Sequence, residues 1–278
     1  MTDRYAVIGN PIGHSKSPRI HAAFAVQTGQ DLHYDALLAP LDDFAGTWQQ
    51  FLRDGGRGAN VTVPFKEVAW SLCQQLSERA RRAGAVNTLM PLSDGRVFGD
   101  NTDGAGLVAD IVVNAGWTLN GARVLLLGAG GAARGVIQPL LDAGVTEIRV
   151  VNRTPERAEA LADLFADTAR VTGMGQADWL AGPAHAPANV VINATSASLS
   201  GAALTLPAGS WNAQTAVYDM MYGRDTPFLA WARDAGLCHR RDGLGMLVEQ
   251  AAEAFLLWRG VRPDTAPVLA QLRAELSA

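Results

Sequence analysis

Short apolar runs alternate along the chain with stretches whose apolar residues recur three or four positions apart. That alternation predicts strands and helices in turn. Residues 5–9 are an apolar run closed by glycine, a buried strand. Ser17-Pro18 opens a helix, with serine at the cap and proline in the first turn; Ile20, Phe24 and Gln27 follow at helical spacing and Gly29 ends it. Residues 34–39 and 59–63 read as strands, and 42–52 and 66–76 as helices. Ser93-Asp94-Gly95 joins strands at 85–89 and 96–99 in a hairpin, and 104–115 is a helix.

A second series begins at Arg123. Strands are predicted at 124–127, 147–151, 190–194 and 216–219, and helices at 131–143, 155–165 (Thr154 as cap) and 226–235. Helices at 246–258 and 265–276 have no sheet of their own and are expected to return to the first unit. The fold class is therefore α/β, with two α/β domains. Doubly wound architecture is expected in both, with a mixed, mainly parallel sheet in the first. Domain edges are expected at 1–104 plus 239–278, and 105–238.

A chain of 278 residues has room for two such domains, and 48% apolar content is ordinary for a globular protein. The net charge of −4 leaves no basic face, which excludes nucleic acid and anionic membranes as expected partners. No apolar run approaches the roughly 18 residues of a membrane span. The opening MTDRYAVIGNP lacks a signal-peptide layout. Cys73 and Cys238 lie far apart, and the histidines at 14, 21, 33, 185 and 239 show no metal-ligand spacing. The expectation is a cytoplasmic protein without a metal.

Residues 125–133 read strand, glycine turn, helix. Gly128, Gly130 and Ala133 fit G-x-G-x-x-G/A, in which the first glycine makes the turn and the second lets the backbone approach a pyrophosphate. The small third residue packs helix on strand, and the helix N-terminus presents N–H donors. A glycine turn with no ligand is the plainer alternative. The next strand ends in Asn152-Arg153-Thr154, with Arg157 one turn on and no carboxylate at the tip. Two guanidinium groups suit a 2′-phosphate, so the expected cofactor is NADP rather than NAD. The plainer reading makes Arg153 and Arg157 solvated residues at a helix start.

Four polar segments interrupt the first series: 10–18, 60–66, 85–88 and 99–104. Ser15 and Ser17 at a helix N-terminus can hold a carboxylate, Asn and Asp can bond sugar-like hydroxyls, and Lys66 with Asp103 can manage a proton. Each also has a structural reading: Ser17 as an N-cap, Asp103 as a turn residue, Asn60 and Asn87 as partners of buried backbone.

Together these segments resemble the shikimate dehydrogenases of the bacterial, biosynthetic, NADP-dependent type. The resemblance rests on GNPIGHSKSP at 9–18, ANVTVPFKE at 59–67, GAVNTL at 84–89, GDNTDG at 99–104, GAGGAA at 128–133, NRT at 152–154, INATS at 192–196, YDMMY at 218–222 and DGLGMLVEQ at 242–250. It implies reversible reduction of 3-dehydroshikimate to shikimate by NADPH, in the chorismate route to aromatic amino acids. It also implies a substrate domain and a Rossmann-type NADP domain, with the active site in the cleft between them. Ser15 and Ser17 would bind the substrate carboxylate, and Asn60, Thr62, Asn87, Asp103 and Gln250 its hydroxyls. Tyr222 would reach the substrate, and Lys66 would be the acid/base. Gly128, Ala129, Gly130, Gly131 and Ala132 would wrap the pyrophosphate, and Asn152, Arg153, Thr154 and Arg157 the 2′-phosphate. Met220 and Gly243 would line the nicotinamide, and Glu78 would lie near the cofactor. Two departures stand out: Ala133 replaces a common serine, and 197–199 lack the usual glycine.

The partner is thus a small molecule, and the chain is expected as a monomer or homodimer. Three rival readings stand beside it. An NAD-using quinate/shikimate enzyme is disfavoured by the arginines, and a folate-type methylene dehydrogenase by the serine pair and Lys66/Asp103. A cofactor-sensing protein without turnover would have no need of Lys66 or Asp103.

Overall fold

The computed structural model describes residues 2–181, 186–195, 209–223 and 225–276. Residues 197–199, where the sequence departs from the resemblance, lie outside the described residues, as do Ser196 of the INATS motif and His185. Two compact units form. Unit 1 is Met1–Gly106 with Leu247–Ala278, and unit 2 is the contiguous stretch Leu107–Met246.

Unit 1 is built on a mixed sheet. β1 (Asp3–Gly9) lies between β2 (Leu32–Leu38) and β3 (Gly56–Val61), all parallel. Beyond β3 come β5 (Thr88–Pro91) and β6 (Val97–Asp100), an antiparallel hairpin, and then β4 (Gln75–Leu76) parallel to β6. Alternate residues of β1 face opposite cores. Ala6 and Ile8 pack with Phe44, Trp48 and Phe51 of α2 (Phe44–Arg53), while Tyr5 and Val7 pack with Tyr34. Both faces are covered, so the run is continuously apolar rather than alternating.

Local chemistry departs from the sequence reading in places. In α1 (Ser17–Thr28) the capping position is Lys16, and Ser17 is already helical. The Ser17 N–H is instead taken by Ser15 Oγ at 3.2 Å. α3 (Lys66–Ser71) stops well short of residue 76, because Gln74 N–H donates to the Val97 carbonyl and β4 pairs with β6. α4 (Glu78–Ala83) was not anticipated, although Ser77 caps it by accepting from Ala80 N–H and Gly84 ends it at φ 59°. α5 (Asp103–Ala109) runs into a π-helical turn at Asp110–Asn114. That turn carries the fully buried Asp110, which accepts from Tyr218 Oη at 2.7 Å and from Arg241 Nη2 at 2.8 Å.

Unit 2 holds β7 (Arg123–Leu127), β8 (Glu147–Asn152), β9 (Val171–Gly175), β10 (Val190–Asn193), β11 (Ala216–Asp219) and β12 (Arg240–Asp242). Their order among the described residues is β12-β11-β10-β7-β8-β9, and every pairing is parallel. The order reverses between β7 and β10, the point at which open α/β sheets leave a ligand crevice outside the strand C-termini. α6 (Gly131–Asp142) and α7 (Pro155–Asp163) bury Val136, Ile137, Leu140 and Leu161 against one face. Trp179 of α8 (Gln176–Ala181) and Phe228 of α9 (Pro227–Asp234) pack on the other. Thr154 stands at the α7 cap position but makes no side-chain cap bond.

α10 (Leu244–Arg259) and α11 (Ala266–Leu276) end the description. From Leu247 onward they belong to unit 1. There Trp258 stacks on Tyr5 with ring centroids 4.8 Å apart, and its Nε1 donates to the Leu89 carbonyl at 3.1 Å. The return to unit 1 comes at 247 rather than 239 because β12 pairs with β11 and Met246 packs in the unit 2 core. No helix among the described residues is long and apolar enough to cross a membrane.

Candidate active site

The chemistry of unit 1 gathers at the C-terminal ends of β1 and β3 and at the β5–β6 hairpin. Lys66 opens α3 and Asp103 opens α5. Lys66 Nζ donates to Asp103 Oδ2 at 2.5 Å, and both side chains are largely buried, at 17% and 10% exposure. A lysine at a helix N-terminus opposes the helix dipole, and an aspartate there is favoured by it. The carboxylate thus holds the ammonium where the helix alone would not.

Asp103 is fixed from three sides. Its Oδ1 accepts from Asn87 Nδ2 at 2.8 Å, and its N–H donates to Asn101 Oδ1 at 3.2 Å. Asn101 Nδ2 in turn donates to the Ala85 carbonyl at 3.0 Å. Upstream, Asp100 takes two bonds from Arg79, at 2.8 and 2.6 Å, and one from Ser77 Oγ. Burial pushes the Asp100 carboxyl up, but Arg79, Ser77 and the Asn101 N–H outweigh it and hold it below the usual carboxylate range. Gln250 of α10 reaches the same cluster, its Oε1 lying 3.4 Å from both Asn87 Nδ2 and Thr102 Oγ1.

Asn60 is buried at the end of β3. Its Oδ1 accepts from Tyr34 Oη at 2.6 Å, and its Nδ2 donates to Thr88 Oγ1 at 3.1 Å. Gly9 brings the next segment alongside: a Cβ there would lie 2.4 Å from Thr62 Cγ2, and Asn10 N–H donates to the Val63 carbonyl. Ser15 and Ser17 follow at the start of α1. Ser17 is 6% exposed, and its hydroxyl has no partner among the described residues.

Sequence reasoning missed Tyr34, Thr88 and the Arg79–Asp100 clamp. Thr88 and Asp100 sit inside segments already singled out as polar. Tyr34 lies mid-strand, where an aromatic residue reads simply as core. Glu78 is exposed and paired with Arg81 on its own helix.

Unit 2 brings its own set to the strand C-termini. Gly128 adopts φ 105°, where a side chain would be strained, and a Cβ would press on Thr195 and Ala194. Gly130 and Gly131 differ: a Cβ at either would meet nothing within 4 Å, and neither has positive φ. Among the described residues, nothing packs closely enough to require glycine at either position. The Gly128 N–H donates to the Val151 carbonyl, which sets the turn beside the tip of β8. There Asn152 Nδ2 donates to the Thr154 carbonyl, while Arg153 and Arg157 are exposed and their guanidinium groups have no partner among the described residues. Met220 and Gly243 meet directly, since a Cβ on Gly243 would lie 2.2 Å from the Met220 carbonyl oxygen. Asp219, fully buried, steadies this corner by accepting from Asn193 Nδ2, Thr226 Oγ1 and Met221 N–H. Tyr222 follows within three residues, half-buried, its hydroxyl pushed above the usual range by burial.

Residues 7–89 match the family description "Shikimate dehydrogenase substrate binding domain", 109–200 "Shikimate / quinate 5-dehydrogenase" and 243–273 "Shikimate 5'-dehydrogenase C-terminal domain". The chain belongs to the shikimate dehydrogenase family. Within that family it is 60% identical to a shikimate dehydrogenase (NADP(+)) of Dechloromonas aromatica, over all of both chains. It is similar in structure to an Ael1 enzyme from Pseudomonas putida, with TM-score 0.88, 47% identity and 98% of each chain covered. It is also similar to the shikimate 5-dehydrogenase of Thermus thermophilus in complex with NADP(H) and shikimate. There the TM-score is 0.84 and the identity 36%, covering 98% of this chain and 99% of that one.

Proposed function

We propose that the chain catalyses the reversible NADPH-dependent reduction of 3-dehydroshikimate to shikimate, a step of chorismate and aromatic amino acid synthesis. The observation that carries the reading is the Lys66–Asp103 pair, an ammonium and a carboxylate held at 2.5 Å amid hydroxyl-binding amides. Proton transfer to a developing alkoxide needs such a donor, held in place.

Ser15 and Ser17 bind the substrate carboxylate, and Asn60, Thr62, Asn87, Asp103, Gln250 and Tyr222 its hydroxyls. Lys66 gives its proton to the oxygen on C3 during reduction and takes it back in the reverse direction. Asp103 holds both the ammonium and a substrate hydroxyl, so the proton has one path. When bound, the reduced nicotinamide supplies the hydride. Gly128–Ala132 carry its pyrophosphate, Asn152–Arg157 its 2′-phosphate, and Met220 and Gly243 border the ring; Glu78 stands near it. The enzyme acts in the cytoplasm as a monomer or homodimer.

The test is a spectrophotometric assay of the purified protein with shikimate and NADP⁺, alongside NAD⁺ and quinate. Turnover confined to shikimate with NADP⁺ is the expected result. Comparable rates with quinate or NAD⁺ would shift the reading to a looser-specificity family member. Cofactor binding without turnover would defeat it.

A further inference from the structure

The polar cluster of unit 1 is a directional chain, and its direction follows from which atoms can only donate or only accept. The Thr102 N–H can only donate, and it reaches Asn87 Oδ1 at 2.8 Å. Asn87 Nδ2 is therefore turned toward Asp103 Oδ1, at 2.8 Å. The Asn87 carbonyl can only accept, and Asn60 Nδ2 lies 3.3 Å from it. Asn60 Oδ1 must then face Tyr34, whose hydroxyl donates at 2.6 Å. The second Asn60 N–H goes to Thr88 Oγ1 at 3.1 Å. A hydroxyl has a single proton, so Thr88 passes its own to Asn87 Oδ1, 2.8 Å away. The run is Tyr34 to Asn60 to Thr88 to Asn87 to Asp103, every link donating the same way. It ends on the carboxylate that holds Lys66.

We propose that Tyr34 and Thr88 are positioning residues for the reaction: they orient the Asn60 and Asn87 amides so that Asn87 Nδ2 holds the Asp103 carboxylate against Lys66. Neither is assigned to substrate. Tyr34 is the terminal donor, with its ring stacked on His21 at 4.1 Å between centroids and 4° between planes. Thr88 is fully buried at the midpoint. Buried polar chains of this kind polarise link by link, and an unfilled station leaves a buried amide without its partner. A displacement of the carboxylate is felt in proton transfer more than in ground-state binding, because small misplacements of a catalytic group cost rate.

The test uses Tyr34→Phe, which keeps the stacked ring and removes the hydroxyl, with Thr88→Val and Thr88→Ser. This inference rests on the proposed shikimate dehydrogenase reading, and the wild-type protein in the same assay separates the two: if it does not turn over shikimate, that reading fails first. Tyr34→Phe and Thr88→Val are expected to lower kcat about tenfold or more, with KM for shikimate moving less than kcat and KM for NADP⁺ within about twofold. Thr88→Ser should restore kcat to near the wild-type value. The Tyr34→Phe/Thr88→Val double variant should lose less than the product of the two single losses, since both break one chain. An unchanged kcat in Tyr34→Phe overturns the proposal. So does a rise in KM for shikimate alone, which would make these binding residues, or a Thr88→Ser as slow as Thr88→Val, which would make the role one of shape.

Discussion

Lys66 stands at the start of a helix where its charge is unwelcome, and Asp103 is the compensation. If that pair exists for proton transfer, Lys66→Ala should cut kcat by about 10²–10⁴-fold while KM for shikimate changes far less. A KM effect alone would make Lys66 a binding residue. Arg153 and Arg157 are unpaired among the described residues, so their charges are available to a phosphate. Each Arg→Ala should raise KM for NADP⁺ about tenfold or more, the worth of a charge-assisted bond, and leave any residual rate with NAD⁺ unaltered. Measuring KM for both cofactors in each variant checks this. Residues of this kind were legible because chemistry dictates their type: guanidinium for phosphate, lysine with aspartate for a proton. Tyr34 was not legible, because an aromatic residue in a strand is indistinguishable from core until its hydroxyl partner is known.

Among the elements, the glycines of unit 2 separate two demands. Gly173 packs so closely under α7 that a Cβ would lie 2.1 Å from the Ala158 carbonyl oxygen. Gly173→Ala should destabilise the protein by about 1–3 kcal/mol, the usual overpacking cost, read in chemical denaturation. Gly131 has open space above it. Gly131→Ala should fold with unchanged stability and bind NADP⁺ more weakly; equal affinity would mean the cofactor does not approach there. The sequence marked the glycine turn because backbone conformation and close approach both demand glycine. It did not mark β12, whose Arg240-Arg241-Asp242 carries no apolar signal and is a strand only because β11 offers its edge. The helix expected through residue 76 fails for the same reason: pairing with β6 overrides local periodicity. α4 is signalled only by Ser77 and Gly84, a cap at each end of a stretch too short to show periodicity.

For the whole molecule, the buried His21 sets a pH limit. Both its ring nitrogens lack a hydrogen bond of ordinary geometry, and burial pulls its pKa from 6.5 down to about 3, with nearby Asn60 opposing weakly. The unfolded chain takes up that proton near pH 6.5 and the folded one only near 3, so folding stability rises with pH through this window and falls as pH drops. Asp100, held below the usual carboxylate range, adds a second loss at the acid end of the window. Thermal unfolding followed from about pH 7 to pH 4 should show a steady decline, and His21→Phe should flatten it. An unaltered slope in the variant would remove His21 from the account.

Unit 2 is one unbroken stretch, whereas unit 1 is closed by residues from Leu247 onward. On the ribosome, the strands of the first 106 residues emerge long before Trp258 can cover Tyr5 or Gln250 can reach Asn87. Translation at roughly 5–20 residues per second leaves them waiting for many seconds, while the intervening unit has everything it needs to fold as it appears. The nascent chain would thus carry a finished nucleotide domain tethered to an unfinished substrate domain. Until then the Tyr5 side of β1 lacks the Trp258 ring that stacks on it in the finished fold.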